Sequence, residues 1–164
     1  MSTLAEEGSE ERQRIAPALG KIASGLYVAT AALGDEKVGM LCSFVEQCSF
    51  NPPMISMAVG PNRPIVKALD GHGLFGLHIL SKENTALLKS FARPDGNPFE
   101  GHAIEENLFG IPQLSEAWAF LACKVSTKVT TGDHILYVAE VFDGALQHPG
   151  QEANVRIRPN GFNY

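Results

Sequence analysis

The polar side chains that could hold a ligand are concentrated in one stretch of the chain. This stretch joins two apolar runs, residues 38–45 and 54–59, through Pro52 and Pro53. Apolar runs of this length are typical of buried strands, and two successive prolines cannot continue a helix. The polar side chains in or between the runs are Ser43, Gln47, Ser49 and Asn51. Hydroxyl and amide groups at a corner between two strands could hydrogen-bond a polar, planar ligand.

Two arginines could add a binding site for phosphate. Arg63 follows Asn62 in a loop rich in turn residues, and Arg93 lies at the end of a predicted helix. The guanidinium group presents a rigid fork of donors that matches the oxygens of a phosphate. The alternative is that both are ordinary solvated surface residues. Together with the polar stretch, the arginines indicate a site for a phosphorylated, planar group.

One of the five histidines has a position suited to chemistry. The five are His72, His78, His102, His134 and His148. They are dispersed without the spacing of metal ligands, so we expect no metal site. His78 lies in an apolar run, where we expect a core residue with satisfied hydrogen bonds. His134 follows Gly132-Asp133, where it is either a catalytic residue at the mouth of a barrel or a turn residue with a local hydrogen bond.

The cysteines indicate neither a disulfide framework nor a zinc site. The three, Cys42, Cys48 and Cys123, form no C-x-x-C pair, and their number is odd. We expect all three to be small buried side chains in strands. The alternative is a redox-active thiol at Cys42 or Cys48, since these two lie in the polar stretch.

Composition excludes several classes of partner. The chain has 164 residues and a net charge of −5, which argues against non-specific binding of nucleic acid. No apolar run approaches the roughly 20 residues that span a bilayer, so we expect no membrane insertion. The first residues are acidic and polar rather than a signal peptide, and we therefore expect a cytoplasmic protein.

Short segments separated by turn residues predict a mainly β domain with peripheral helices. We expect residues 1–14 to be a mobile tail and residues 15–164 to form one domain. The predicted helices are 17–24, 64–71 and 82–92, and the predicted strands are 26–33, 38–45, 53–59, 73–80, 118–129, 134–142 and 155–158. The short turns favour antiparallel pairing, for which a barrel is the natural solution. Residues 93–114 are predicted to be a long irregular segment.

Several motifs in this order resemble a known family. They are Gly39–Phe44 (GMLCSF), Ser49–Pro53 (SFNPP) and Gly132-Asp133-His134. In this order they are similar to the flavin reductase-like, FMN-binding split-barrel family. The end of the chain, RPNGFNY, resembles the close of the flavin reductase domains attached to some flavodiiron proteins. The resemblance extends over about residues 17–164.

The resemblance implies a fold and a set of ligand contacts. The fold would be a six-stranded antiparallel Greek-key split barrel that forms a homodimer, with FMN near the subunit interface. The flavin ring would lie along Met40, Leu41, Cys42 and Ser43, and its edge or the ribityl chain would meet Ser49 and Asn51. The phosphate would lie between Asn62, Arg63, Phe91, Ala92 and Arg93. His134 would lie beside the nicotinamide or the flavin face.

The function implied is that of an FMN reductase. NADH or NADPH would pass a hydride to flavin N5, while the protein supplies position and electrostatics. Two departures from the family pattern, Leu41 in place of Thr and Phe44 in place of Ser or Ala, remove hydroxyl groups. Two alternatives remain: an electron carrier that holds FMN and is reduced by a redox partner protein, or a split-barrel dimer that has lost flavin.

Overall fold

Most of the chain is β-structure in a computed structural model, which describes residues 8–92 and 96–163. The helices are α1 (Glu10–Leu19), α2 (Val66–Gly71) and α3 (Thr85–Ala92). The strands are β1 (Ser24–Gly25), β2 (Tyr27–Leu33), β3 (Glu36–Cys42), β4 (Val45–Phe50), β5 (Pro53–Val59), β6 (Leu74–Ile79), β7 (Ile104–Glu106), β8 (Pro112–Leu114), β9 (Ala119–Thr131), β10 (His134–Leu146) and β11 (Val155–Arg156). The chain divides into two units, residues 25–154 and residues 1–24 with 155–164.

The main sheet of the larger unit is curled. Its seven antiparallel strands run in the order β3-β2-β6-β9-β10-β5-β4, so β3 and β4 form opposite edges. Only Ser43 and Phe44 separate these two strands in the chain. Six strand spacings would hold the edges of a flat sheet roughly 29 Å apart, whereas a two-residue link reaches only about 10 Å. The sheet must therefore curl until its edges approach each other at Ser43 and Phe44, which gives a barrel that remains open between β3 and β4.

Alternate residues of the strands fill the interior of this barrel. Met57, Phe75, Leu77 and Tyr137 are at most 1% exposed and belong to one apolar cluster. The period of two along a strand places these side chains on one face of the sheet. This buried face is the apolar core that holds the strands in register.

The opposite face of β2 and β3 is covered by α3 and by the segment that follows it. Phe91 of α3 and Phe99 are each 5% exposed, and their rings meet edge to face at 5.1 Å. They pack so closely on β3 that a Cβ at Gly39 would lie 2.6 Å from Cε1 of Phe91. Glycine at this position therefore allows α3 to approach the sheet.

His102 links α3 to the segment between residues 99 and 118. Its Nδ1 lies 2.7 Å from Oε2 of Glu116, and its Nε2 lies 2.9 Å from Oγ of Ser90. The sequence predicted residues 93–114 to be irregular. That prediction is wrong in part, because the segment contains the paired strands β7 and β8.

The smaller unit consists of α1 and the end of the chain. Ser9 caps α1 by accepting a hydrogen bond from the N–H of Arg12, and the Arg12 guanidinium lies 3.8 Å from the ring centroid of Phe162. The helix begins at Glu10 and ends at Leu19, whereas the sequence predicted 17–24. The Ser9 cap and two glutamates in the first turn set this earlier start, a signal that the prediction did not use.

The predicted mainly β, antiparallel fold with peripheral helices is confirmed. The sheet has seven strands where the resemblance implied six. The extra strand is β4, because the polar residues expected to form a corner are themselves paired with β5. The predicted strand 38–45 is confirmed over residues 38–42 and wrong at its end, since the chain leaves β3 at Cys42 and begins β4 at Val45. Within the described ranges, no helix is long and apolar enough to cross a membrane.

Candidate functional site

The structure places an aromatic ring beside the predicted catalytic histidine. The ring centroids of Phe44 and His134 lie 5.8 Å apart with a tilt of 59°. His134 begins β10, its side chain is 19% exposed, and its Nδ1 lies 2.7 Å from Oδ1 of Asp133. This contact is the local hydrogen bond expected of a turn residue, and it also fixes the orientation of a partly accessible imidazole. Both interpretations of His134 therefore agree with the geometry.

The predicted phosphate loop lies at the same end of the sheet. Ile135 pairs with Val59, the last residue of β5, so the loop after β5 starts next to His134. In this loop the N–H of Arg63 donates to the carbonyl of Gly60 over 3.1 Å, which closes a tight turn. Asn62 and Arg63 are both exposed. A cation and an amide are thus available near His134.

The opening between β3 and β4 adds backbone groups to this end. Because β3 and β4 are the edges of the sheet, one side of each strand is left unpaired within that sheet. Phe44 lies in the link between them, and its carbonyl accepts a hydrogen bond from Ala58 over 3.0 Å. Ser43, the other residue of the link, is 8% exposed. An unpaired edge offers N–H and C=O groups suited to the polar rim of a heterocycle.

The side chains of β3 point to alternate faces of the sheet. Met40 packs against the interior cluster and Leu41 against the cluster under α3. Cys42 is buried, with its thiol 3.9 Å from the sulfur of Met57, and burial raises its pKa to about 12. Its thiol is therefore protonated and unreactive at neutral pH. Met40 and Leu41 are half-buried, so the backbone of these three residues and part of the Met40 and Leu41 side chains are left to serve a ligand.

The structure confirms the predicted burial of two cysteines and contradicts that of the third. Cys42 and Cys123 are buried as expected, and burial raises the pKa of Cys123 to about 12 as well. Cys48 is exposed, so its predicted burial is wrong. It lies on the edge strand β4, where Glu46, Gln47 and Cys48 are all exposed.

Ser49 and Asn51 lie away from His134. Ser49 pairs with Met54 at the start of β5, whereas His134 adjoins the end of β5 at Val59. Five residues of strand separate these two levels by roughly 17 Å. Asn51 lies one turn further, between β4 and β5. The structure does not bring these two residues to the end of the sheet that holds His134.

The three predicted phosphate contacts at the end of α3 have different settings. The Phe91 side chain is 5% exposed and belongs to the core, so it is not available to a ligand. Ala92 is exposed at the last position of α3. Arg93 lies outside the described residues.

Phe44 is the residue of this site that sequence reasoning missed as a contact. It entered as the last residue of the GMLCSF motif and as a departure from the family pattern, with no contact assigned to it. Its position beside His134 depends on the pairing of β5 with both β4 and β10, which no local pattern reveals. The order of the motifs along the chain was the one signal that joined these residues.

The predicted core histidine is confirmed. His78 is fully buried, the N–H of Leu114 donates to its Nε2 over 2.9 Å, and its Nδ1 donates to the carbonyl of Val28 over 3.1 Å. Burial lowers the pKa of His78 to about 4, so the imidazole is neutral. Within the described part of the chain, no cluster of three or more His, Cys, Asp or Glu side chains could hold a metal ion.

The donor set near His134 fits a flavin mononucleotide. The unpaired edge supplies backbone groups for a ring, Phe44 and His134 supply two aromatic rings, and Arg63 supplies a cation. A Cβ at Gly60 would meet only Cγ of Arg63, at 3.9 Å, so there is open space beside this loop. These residue types match a phosphorylated, planar group.

The chain belongs to the flavin reductase family. The family model described as "Flavin reductase like domain" matches residues 19–159. The reductase component of 4-hydroxyphenylacetate 3-monooxygenase from Thermus thermophilus is 32% identical over 133 residues, which cover 81% of this chain and 84% of that protein. Both comparisons span most of the chain.

Longer relatives contain a similar segment. Diflavin flavoprotein A 1 from a Synechocystis strain is 36% identical over 79% of this chain but over only 23% of its own length. The chain thus spans about a quarter of the diflavin relatives that it matches.

Solved structures share the fold. The flavin reductase PheA2 superposes with a TM-score of 0.78 and 26% identity, over 91% of this chain and 94% of that chain. The NADH:FAD oxidoreductase SgcE6 of Streptomyces globisporus C-1027 superposes with a TM-score of 0.79, over 96% of this chain and 94% of that chain. At 22% identity, the second likeness shows the fold alone.

Proposed function

We propose that the protein is an NAD(P)H-dependent FMN reductase, in which NADH or NADPH is the electron donor. The observation that carries the proposal is the convergence of His134, Phe44 and the Arg63 loop at the open edge of the sheet. Membership of the flavin reductase family supports the reaction class. When bound, FMN would supply the redox chemistry by accepting a hydride at its N5 atom.

The protein's own part in this reaction is binding and orientation. Arg63, with Asn62 beside it, would bind the phosphate through charge-assisted hydrogen bonds. Backbone groups of Met40 to Ser43 along the β3 edge would bind the polar rim of the ring. The imidazole of His134, oriented by Asp133, would line the place of the nicotinamide and limit the access of water.

The protein is also proposed to act as a homodimer. Three apolar side chains near the end of β10 are partly exposed: Phe142 at 38%, Phe109 at 42% and Leu146 at 58%. The rings of Phe109 and Phe142 meet edge to face at 4.9 Å. Exposed apolar patches of this kind are typical of protein interfaces. Sedimentation should give twice the monomer mass, and Phe142→Glu should return the protein to monomer.

Steady-state oxidation of NADH and NADPH, each with FMN or FAD, tests the proposed activity. We expect oxidation of at least one nicotinamide to depend on both the protein and FMN. The proposal fails if neither nicotinamide is oxidised with FMN present. Faster turnover with FAD would instead retain a flavin reductase and replace the proposed flavin.

The diflavin relatives favour a second candidate. In those proteins a segment like this chain is joined to a longer polypeptide. A protein-bound FMN that passes electrons to a redox partner protein would suit that arrangement. The second candidate predicts that FMN copurifies with the protein and that free NADH and NADPH do not reduce it.

A further inference from the structure

The two ends of the barrel interior are covered differently. At one end α2 closes the barrel: the Nε2–H of His72 donates to the carbonyl of Ala32 over 2.7 Å, and the Tyr137 hydroxyl donates to Oδ1 of Asp70 over 2.9 Å. The apolar side chains Ile65, Ala68 and Leu69, at the N-terminus of α2 and along it, belong to the interior cluster. This end of the barrel is therefore filled by side chains.

The opposite end of the barrel contains a pocket of about 320 Å³. Tyr27, the first residue of β2, pairs with Ile79, the last residue of β6, and both line the pocket. The neighbouring wall is formed by Leu121 and Val141 of β9 and β10. These positions lie at the strand ends remote from Ala32 and α2. The volume falls at the lower end of the range found for small-molecule sites.

The rim of this pocket carries one carboxyl group. Glu46 is the only Asp, Glu, Lys or Arg among the residues that line the pocket, and Gln47 lies next to it. Burial and then the nearby Glu46 carboxylate raise the pKa of Tyr27, so its hydroxyl stays protonated. The pocket thus combines an apolar wall with a carboxylate, an amide and a neutral hydroxyl at its entrance.

We propose that this pocket binds a small aromatic amine, with its ring against Leu121, Val141 and Ile79 and its ammonium group at Glu46. The carboxylate selects a cation over an anion, and the protein's net charge of −5 favours the same sign. The apolar wall selects a ring over a hydrated ion. The pocket contains none of Asn62, Arg63 and His134, the side chains of the proposed flavin site, although Tyr27 in its wall pairs with Cys42 on β3.

Calorimetry with tryptamine and with its neutral counterpart tryptophol tests the proposal on the full chain. The two probes share the indole ring and differ in an ammonium against a hydroxyl group. Tryptamine is expected to bind about tenfold more tightly or better, since hydrogen bonds to charged groups contribute more than neutral ones. Glu46→Gln should remove that difference while leaving the weaker binding of tryptophol.

Glu140→Gln is the matched control. Glu140 is exposed on β10 next to Val141 and does not line the pocket, so this change removes an equal charge nearby. The control should keep the preference for tryptamine. A saturating concentration of FMN should also leave tryptamine binding unchanged. The proposal is overturned if tryptamine does not bind, if Glu46→Gln keeps the preference, if Glu140→Gln abolishes it, or if FMN displaces tryptamine. None of these outcomes depends on reductase activity.

Discussion

Two histidines in strands of the same sheet have opposite surroundings. His78 is fully buried on β6, and both ring nitrogens bond to backbone groups. His134 begins β10 with a partly exposed ring beside Phe44 and one nitrogen bonded to exposed Asp133. The first environment fixes a neutral imidazole as part of the core. The second orients an imidazole while leaving it accessible. The difference shows that position in the strand, rather than residue type, separates a core histidine from one that is accessible to a ligand.

Replacement of the buried histidine should produce the largest effect. His78→Ala removes two hydrogen bonds and leaves a cavity in a closely packed site, so we expect a loss of about 4 kcal/mol in the free energy of unfolding. Urea unfolding measures this value. A loss below about 1 kcal/mol would mean that the His78 contacts with Leu114 and Val28 contribute little.

Acid should weaken the His78 region next. The folded-state pKa of His78 is lowered to about 4 from an ordinary value of 6.5, because burial disfavours the charged ring. The unfolded chain therefore takes up a proton first, and stability is lost as the pH falls from about 6.5 through 4. The full shift corresponds to roughly 3 kcal/mol.

Urea unfolding at several pH values tests this acid effect. His78→Gln has no group that titrates in that range and is the control. If the stability of His78→Gln fell with pH as steeply as that of the natural sequence, other residues would be responsible for the acid effect.

Replacement of the accessible His134 should lower activity strongly and stability little, the reverse of what is expected for His78. His134→Ala is expected to lower kcat/KM for NADH or NADPH by up to about 100-fold, because a misplaced nicotinamide loses near-attack geometry. The free energy of unfolding should change by less than about 1 kcal/mol, since the Asp133 partner is exposed. Unchanged kcat/KM would leave His134 as a turn residue and nothing more.

Replacement of Arg63 should give the smallest effect, and it should weaken only the binding of a ligand that carries a phosphate. Arg63→Ala is expected to weaken FMN binding about tenfold, as one charge-assisted contact is lost. Riboflavin lacks the phosphate and should bind both forms equally. Lys67→Ala, which removes an exposed cation from nearby α2, is the matched control and should leave the Kd for FMN unchanged. An equal loss of affinity for FMN and for riboflavin would contradict the assignment of Arg63 to the phosphate.

Sequence reasoning succeeded where the signal was local. Segments bounded by turn residues predicted the long strands β9 and β10, and an apolar setting predicted the burial of His78. It failed at β4, whose polar residues have the composition of a loop and become a strand only through pairing with β5.

The site was predictable only in part for the same reason. Residue type and loop position indicated Asn62 and Arg63, and the order of motifs indicated His134. Strand register places the start of the Asn62-Arg63 loop next to His134. Register also places Ser49 at the far end of β5, and packing places the Phe91 side chain in the core. Neither outcome follows from a residue's type, because both depend on contacts between elements distant in the chain.

The most direct test of the proposed reductase is the anaerobic visible spectrum of the protein with FMN, before and after addition of NADH and then NADPH. One of the two nicotinamides should bleach the flavin absorbance rapidly with the protein and only slowly without it, and His134→Ala should slow the bleaching. Flavin absorbance that persists after both additions, with the protein folded and FMN present, would contradict the proposed reductase activity.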